Sequence, residues 1–163
     1  MQKEDIIIAL VHDFILISSR KFEEISLSGI FNYKDSNQEN VVQLHDDMFG
    51  YMQDSLKWIE TINPDKNESA LGFNYYGRSI IEKTGAVKLT KLMKAWYLMF
   101  SEAPEEIILT GWYMWVEDED PRTTGAYDKL SFSRKEVLDT LSRMIEFSIM
   151  VESGEYKMIY LGI

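Results

Sequence analysis

The spacing of apolar residues predicts two helices in the first part of the chain. Residues 3–25 are densely apolar, which indicates a mostly buried helix, with a strand over part of this segment as the alternative. Ser36-Asn37-Gln38-Glu39 matches a capping box and predicts a second helix, which ends at Asn63-Pro64-Asp65. Apolar-stripe positions recur along this helix every three or four residues: Val41, Leu44, His45, Met48, Met52, Leu56, Ile59 and Ile62.

The spacing of apolar residues changes after Leu71 and indicates a strand followed by a helix. Residues 72–81 are aromatic and β-branched and are bounded by glycine, which predicts a strand with Gly77 as a candidate bulge. An amphipathic helix follows and closes at Ala103-Pro104, with an apolar face made of Leu89, Leu92, Met93, Trp96 and Phe100. Residues 106–116 are apolar on both alternating faces and therefore predict a central strand that is covered on each side.

The last part of the chain predicts a loop at residues 117–125 and a shorter strand at residues 127–132. Ser133-Arg134-Lys135-Glu136 is another capping box and predicts a helix. The inward positions of this helix are Val137, Leu138, Leu141, Met144, Ile145 and Ile149. Residues 156–161 then supply a final strand.

This order of elements predicts the fold class. About four strands and about four helices indicate an α+β domain, in which an antiparallel or mixed sheet packs with the helices in a single pair of layers. A chain of 163 residues fits one globular domain, residues 1–163.

The amino-acid composition excludes several kinds of catalytic and cofactor-binding site. The chain has no cysteine and two histidines, which excludes disulfides, thiol nucleophiles and iron–sulfur ligation and leaves little for a transition metal. No P-loop motif occurs, and the spacing from Gly72 to Gly77 is wrong for one. We therefore expect no cofactor, no metal site and no catalytic residue.

The two histidines do not change this expectation. His12 and His45 each sit beside aspartate in sequence, but neighbours on a helix point in different directions. His45 falls on the apolar stripe of its predicted helix, where a neutral boundary histidine is the ordinary interpretation.

The net charge of −10 argues against nucleic acid and anionic membranes and in favour of a basic protein partner. The apolar run from Ile6 to Ile17 is too short for a membrane span and carries His12 and Asp13. The mixed to acidic start of the chain does not resemble a signal peptide. The expected compartment is the cytoplasm.

Acidic residues gather in two places. Residues 35–68 contain eight carboxylates against two lysines, and Asp46, Asp47 and Asp54 form the second candidate partner-binding patch. The first candidate is a run of consecutive carboxylates: Glu117, Asp118, Glu119 and Asp120. Because the four carboxylates of this run repel one another, a docked cationic partner would stabilise them. The ordinary interpretation of either patch is a solvated surface.

The chain from Leu71 onward resembles small bacterial immunity proteins of polymorphic-toxin or contact-dependent growth inhibition systems. The resemblance lies in the layout of residues 71–77 and 80–81, then of the helix into Phe100-Ser101-Glu102-Ala103-Pro104 and the strand after it, and of Tyr160-Leu161-Gly162-Ile163. It implies a cytoplasmic, non-enzymatic protein that binds the toxic domain of an incoming effector, often a nuclease. A nuclease cleft is basic because it attracts phosphate, so an acidic domain can occupy it.

Two other functions stay open. An enzyme or small-molecule-binding protein would have an aromatic-lined pocket made by Tyr75, Tyr76, Trp112 and Trp115, although core packing is the expected role of these rings. Self-association through exposed aromatic residues is the other alternative, and the sequence leaves the oligomeric state open.

Overall fold

The computed structural model describes residues 10–163, and its main sheet contains six antiparallel strands. The strands of the chain are β1 (Val11–Ser18), β2 (Val41–His45), β3 (Glu60–Asn63), β4 (Glu68–Leu71), β5 (Arg78–Ile81), β6 (Glu106–Met114), β7 (Ala126–Ser133) and β8 (Tyr156–Leu161). The helices are α1 (Ser19–Glu24), α2 (Ile30–Ser36), α3 (Asp46–Leu56), α4 (Lys83–Ser101), α5 (Pro121–Thr124) and α6 (Arg134–Glu152). The main sheet has the order β2-β1-β8-β5-β3-β4, and β6 and β7 form a separate two-stranded sheet.

Helices cover both faces of the main sheet. Phe14 and Leu16 of β1 point into the larger core, which contains buried residues of α3, α4 and α6. Ile15 and Ile17 point to the opposite face, where they pack with Ile30 of α2. The α+β class is confirmed, but the element counts exceed four and four, and the expected single pair of layers is wrong because α1 and α2 add a further layer.

The first predicted helix is wrong where the structure describes it. Residues 11–18 form β1, as the alternative held, and only residues 19–24 of this segment are α-helical; residues 3–9 lie outside the described part. Since β1 is covered on both faces, its residues 12–17 are all buried and show no alternation. A continuous apolar run of this kind cannot distinguish a buried strand from a buried helix.

The helix predicted for residues 36–62 is correct only in its middle. Gln38–Asn40 is a 3-10 turn, and Val41 and Leu44 belong to β2. The helix begins at Asp46, with His45 as its N-cap, and its last residue is Leu56. The apolar spacing suggested one long helix because strand β2 runs directly into α3. Two buried residues of the strand, Val41 and Leu44, are three positions apart, as they would be on a helix.

The strand predicted for residues 72–81 is shorter than expected. Only Arg78–Ile81 is a strand, and the amide of Gly77 donates to the Asn74 carbonyl at 3.0 Å, which makes residues 74–77 a turn and not a bulge.

The predictions for most of the later elements are correct. Helices α4 and α6 and strands β7 and β8 lie where the pattern placed them, and the Ser133 side chain caps α6 by accepting from the Glu136 amide.

The segment from residue 106 to residue 116 is not a central strand. Strand β6 pairs only with β7, and these two strands form the structure that we call the hairpin. Ile107 of β6 and Leu130 of β7 are buried at the base of the hairpin. The opposite face and the far end are open, because no further strand or helix of residues 10–163 covers them. Apolar residues on both faces therefore do not mean burial on both faces here.

Candidate functional site

A buried histidine of β1 joins this strand to α3 and β8 beneath the surface. His12 has no exposed surface, and its neighbour Asp13 points to the other face of β1, where it binds Lys34 and Gln43. The Nδ1 atom of His12 lies 2.7 Å from the Tyr160 hydroxyl, and its Nε2 atom lies 2.8 Å from Oδ1 of Asp46. Its ring stacks on Phe49 of α3 at a centroid distance of 4.0 Å.

The charge state of Asp46 sets the direction of these hydrogen bonds. Burial disfavours the ionised carboxyl, but hydrogen bonds from Tyr75 and His12 outweigh burial, and the pKa of Asp46 lies below its ordinary value of 3.8. An ionised carboxylate only accepts, so Nε2 of His12 donates to Asp46. In neutral His12, Nδ1 then accepts from the Tyr160 hydroxyl.

The same carboxylate oxygen holds Tyr75. The Tyr75 hydroxyl donates to Oδ1 of Asp46 at 2.5 Å, and burial together with this bond raises the pKa of Tyr75 to about 12. The turn that carries Tyr75 is fixed from behind, because Ile163 donates to the Tyr75 carbonyl and Gly162 to the Gly77 carbonyl. A Cβ atom on Gly162 would lie 2.0 Å from the Tyr75 carbonyl oxygen, so this close approach requires glycine.

Asp46 and Tyr75 form part of the wall of an open cleft of about 680 Å³ between α3, the turn and the hairpin; we call it the α3 cleft. Tyr76 on the turn and Trp112 on the hairpin also line it, with 81% and 75% of their surface exposed. Asp47 and Asp128 add carboxylates to the lining. Three residues of the expected aromatic pocket thus line this cleft, whereas Trp115 does not.

Comparison with protein-family models, curated proteins and solved structures gives no significant match. The site is therefore interpreted from its own geometry.

The aromatic residues of the hairpin are exposed, contrary to the expected core packing. Trp112, Met114 and Trp115 have 75%, 61% and 56% of their surface exposed, and Tyr127 has 63%. Trp112 and Met114 belong to β6 and Tyr127 to β7, whereas Trp115 directly follows β6. Large exposed aromatic residues of this kind are typical of a contact surface.

The acidic loop, residues 117–120, is separated from the end of β6 only by Trp115 and Val116. Glu117, Asp118 and Glu119 are exposed, and they form no ion pair within residues 10–163. Asp120 differs, because it caps α5 through the Arg122 amide and binds the Arg122 guanidinium at 2.9 Å. These bonds to Arg122 lower the pKa of Asp120.

The second predicted acidic patch separates into two parts. Asp46 and Asp47 occupy the first turn of α3, where carboxylates complement the helix dipole, and both line the α3 cleft. Asp54 is absent from that lining and forms an exposed ion pair with Lys57 at 3.0 Å. His45 accepts from the Asp47 amide at 3.1 Å as the helix N-cap and does not lie on an apolar helix stripe.

The cluster of His12, Asp46, Tyr75 and Tyr160 was missed in the sequence. A signal was present, because a histidine inside a continuous apolar run must find hydrogen-bond partners when it is buried. Its partners lie far away in sequence, however, and no local spacing identifies them. Within residues 10–163, no group of histidine and acidic side chains has the arrangement of a metal site, and no helix is long and apolar enough to cross a membrane.

Proposed function

We propose that this protein is a non-enzymatic immunity protein that binds a basic toxin domain and blocks its active site in the cytoplasm. The observation that carries this proposal is the exposed aromatic surface of the hairpin, which continues directly into the acidic loop. The resemblance of the chain to immunity proteins supports the same function, and a nuclease domain is the toxin class that the charge favours.

The hairpin supplies the apolar part of the contact surface. Trp112 and Trp115 are mostly exposed, although burying a tryptophan is among the largest gains available to a folded chain. Tryptophan and tyrosine are also the residues that most often dominate the energy of protein interfaces. The exposure of Trp112 on β6 and of Trp115 just after it fits a surface that becomes buried in a complex.

The acidic loop supplies the charge. Glu117, Asp118 and Glu119 carry negative charge that no ion pair in the described residues offsets, whereas the fourth carboxylate is committed to Arg122. A nuclease attracts phosphate with a basic cleft, and complementary charge of this kind speeds encounter and fixes orientation. The expected partner surface is therefore basic with apolar contacts at its centre.

The arrangement around His12 supports a binding protein over an enzyme. A side chain with no exposed surface cannot touch a substrate, and His12 has both ring nitrogens engaged by Tyr160 and Asp46. The low pKa of Asp46 makes this carboxylate a poor general base near neutral pH. We assign His12 the role of positioning Asp46.

Growth protection tests this function. The toxic C-terminal domain of a secreted effector encoded beside this gene is expressed in bacteria with and without this protein, and the purified pair is titrated by calorimetry. The proposal expects restored growth and a complex that weakens as salt is raised. A neighbouring toxin domain that still kills and does not bind, or a gene with no such neighbour, contradicts the proposal.

The second candidate is a protein that binds a small cationic molecule in the α3 cleft. The observation in its favour is the placement of Tyr75, Tyr76 and Trp112 in one cleft with Asp46. Screening cationic metabolites by thermal shift separates the two candidates. A metabolite that stabilises the protein while the toxin domain has no effect would favour this second function.

A further inference from the structure

Gly50 leaves the α3 cleft open at some cost to its helix. It lies within α3 and lines the cleft, and a Cβ atom placed on it meets no heavy atom within 4 Å. Glycine inside a helix destabilises it relative to alanine. Since packing does not require glycine here, the absent side chain points to a cleft that must stay free for something else.

The lining of the cleft matches the chemistry of a guanidinium group. Tyr76 and Trp112 contribute aromatic rings to the lining, and the face of such a ring attracts a cation, while Asp46, Asp47 and Asp128 supply carboxylates. No lysine or arginine of residues 10–163 lines the cleft or pairs with these three aspartates. Negative charge and exposed rings therefore face the same space without an internal cation between them.

The carboxylate of Asp46 is held in place for this contact. Its Oδ1 atom accepts from both His12 and Tyr75, so the side chain cannot turn away from the cleft without losing two hydrogen bonds. Bonds of this kind fix the geometry of a binding group before the ligand arrives, which lowers the entropy lost on binding.

We propose that the α3 cleft receives an arginine side chain of the basic protein partner. This inference rests on the proposed function and names the group of the partner that enters the molecule. Arginine fits better than lysine, because a planar guanidinium stacks on an aromatic ring and can bind carboxylates with several donors at once.

A short peptide isolates this contact from the rest of the interface. Acetyl-glycyl-arginyl-glycinamide is titrated into 15N-labelled protein, and its citrulline analogue, which has nearly the same shape without the charge, serves as the control ligand. We expect the arginine peptide to shift the Gly50 amide and the Trp112 indole signals. The citrulline peptide should bind at least tenfold more weakly.

Matched variants locate the contact. Gly50→Trp fills the cleft and should weaken arginine-peptide binding by at least tenfold, whereas Glu23→Gln, an exposed change on α1 outside the cleft, should change it less than twofold. Trp112→Ser removes an exposed ring, so it leaves the fold intact and should weaken binding by roughly tenfold. Equal binding of both peptides, or unchanged binding in Gly50→Trp and Trp112→Ser, overturns the inference.

The same variants separate this inference from the proposed function. If the toxin domain binds Gly50→Trp as tightly as the wild type, the cleft inference fails while the immunity function stands. If the toxin domain binds neither the wild type nor Gly50→Trp, the immunity function fails, and the cleft inference fails with it because it rests on a protein partner. If the toxin domain binds the wild type and Glu23→Gln equally well but binds Gly50→Trp at least tenfold more weakly, the result supports both.

Discussion

The Nε2 atom of His12 lies 2.8 Å from Oδ1 of Asp46 and joins β1 to the first residue of α3. Because the same oxygen also accepts from the Tyr75 hydroxyl, one buried histidine fixes both the helix start and the turn that border the α3 cleft. The start of α3 and the turn thus depend on one hydrogen-bonded cluster.

Replacing His12 with phenylalanine should destabilise the protein by about 2–3 kcal/mol, because it keeps the ring but leaves the buried Tyr160 hydroxyl without a partner. Urea unfolding followed by circular dichroism measures this difference. Adding Tyr160→Phe to the His12→Phe variant should recover part of the loss, since no unpaired hydroxyl remains. A single variant as stable as the wild type would show that the cluster contributes no stability.

The stability contributed by the Asp46 charge should depend on pH. The folded state lowers the pKa of this carboxyl below 3.8, so its contribution is present above the ordinary pKa and is lost as the pH falls through the lower folded value. Asp46→Asn should therefore be less stable than the wild type at pH 7, and the difference should shrink as the pH falls below 3.8 toward the lower folded pKa. Urea unfolding at several pH values between 7 and 3 tests this, and a difference that stays constant across this range counts against it.

The sequence predicts correctly the elements that bury one face and expose the other, because their apolar residues then follow a clear period. Helices α4 and α6 pack one stripe against the core, and their spacing revealed them. The pattern failed at β1, which is buried on both faces, and at β6, which is apolar on both faces but covered on only one. Local spacing reports side-chain type, whereas burial depends on which elements lie on either side.

The candidate site was predictable only in part. The charge run at residues 117–120 is readable directly, but the pairing of Asp120 with Arg122 and of Asp54 with Lys57 emerges only from the folded chain. The cluster of His12 with Asp46 and Tyr160 joins residues 34 and 148 positions apart. Sequence spacing carries no information on contacts of that range.

Truncating two adjacent isoleucines of β6 to alanine should change the stability of the protein by very different amounts. Ile107 is 2% exposed and lies in the core, whereas Ile108 is 54% exposed on the open face of the hairpin. Ile107→Ala should lose about 2–5 kcal/mol of unfolding free energy. Ile108→Ala should stay within about 0.5 kcal/mol of the wild type. Equal losses in urea unfolding would mean that the hairpin is not open on one face.

Gly50→Ala should stabilise the protein by about 0.5–1 kcal/mol, because alanine favours the helix and its Cβ meets no neighbour. Thermal and urea unfolding of this variant give the difference directly. A loss of stability would show that the position requires glycine for packing, which would remove the reason to regard the cleft as kept open.

The proposed role of the acidic loop predicts a change in the salt dependence of partner binding. The variant Glu117→Gln/Asp118→Asn/Glu119→Gln removes three charges and spares Asp120, which caps α5. Asparagine also suits position 118, where φ is +68°. The exposed Asp54→Asn change, away from the loop in sequence, serves as the control.

Binding of the neighbouring toxin domain to the wild type, the triple variant and Asp54→Asn, measured by calorimetry at several salt concentrations, tests the central claim most directly. We predict that the triple variant binds at least tenfold more weakly at low salt and with a flatter salt dependence, while Asp54→Asn behaves like the wild type. Identical affinities and salt slopes for all three proteins would contradict recognition through the acidic loop.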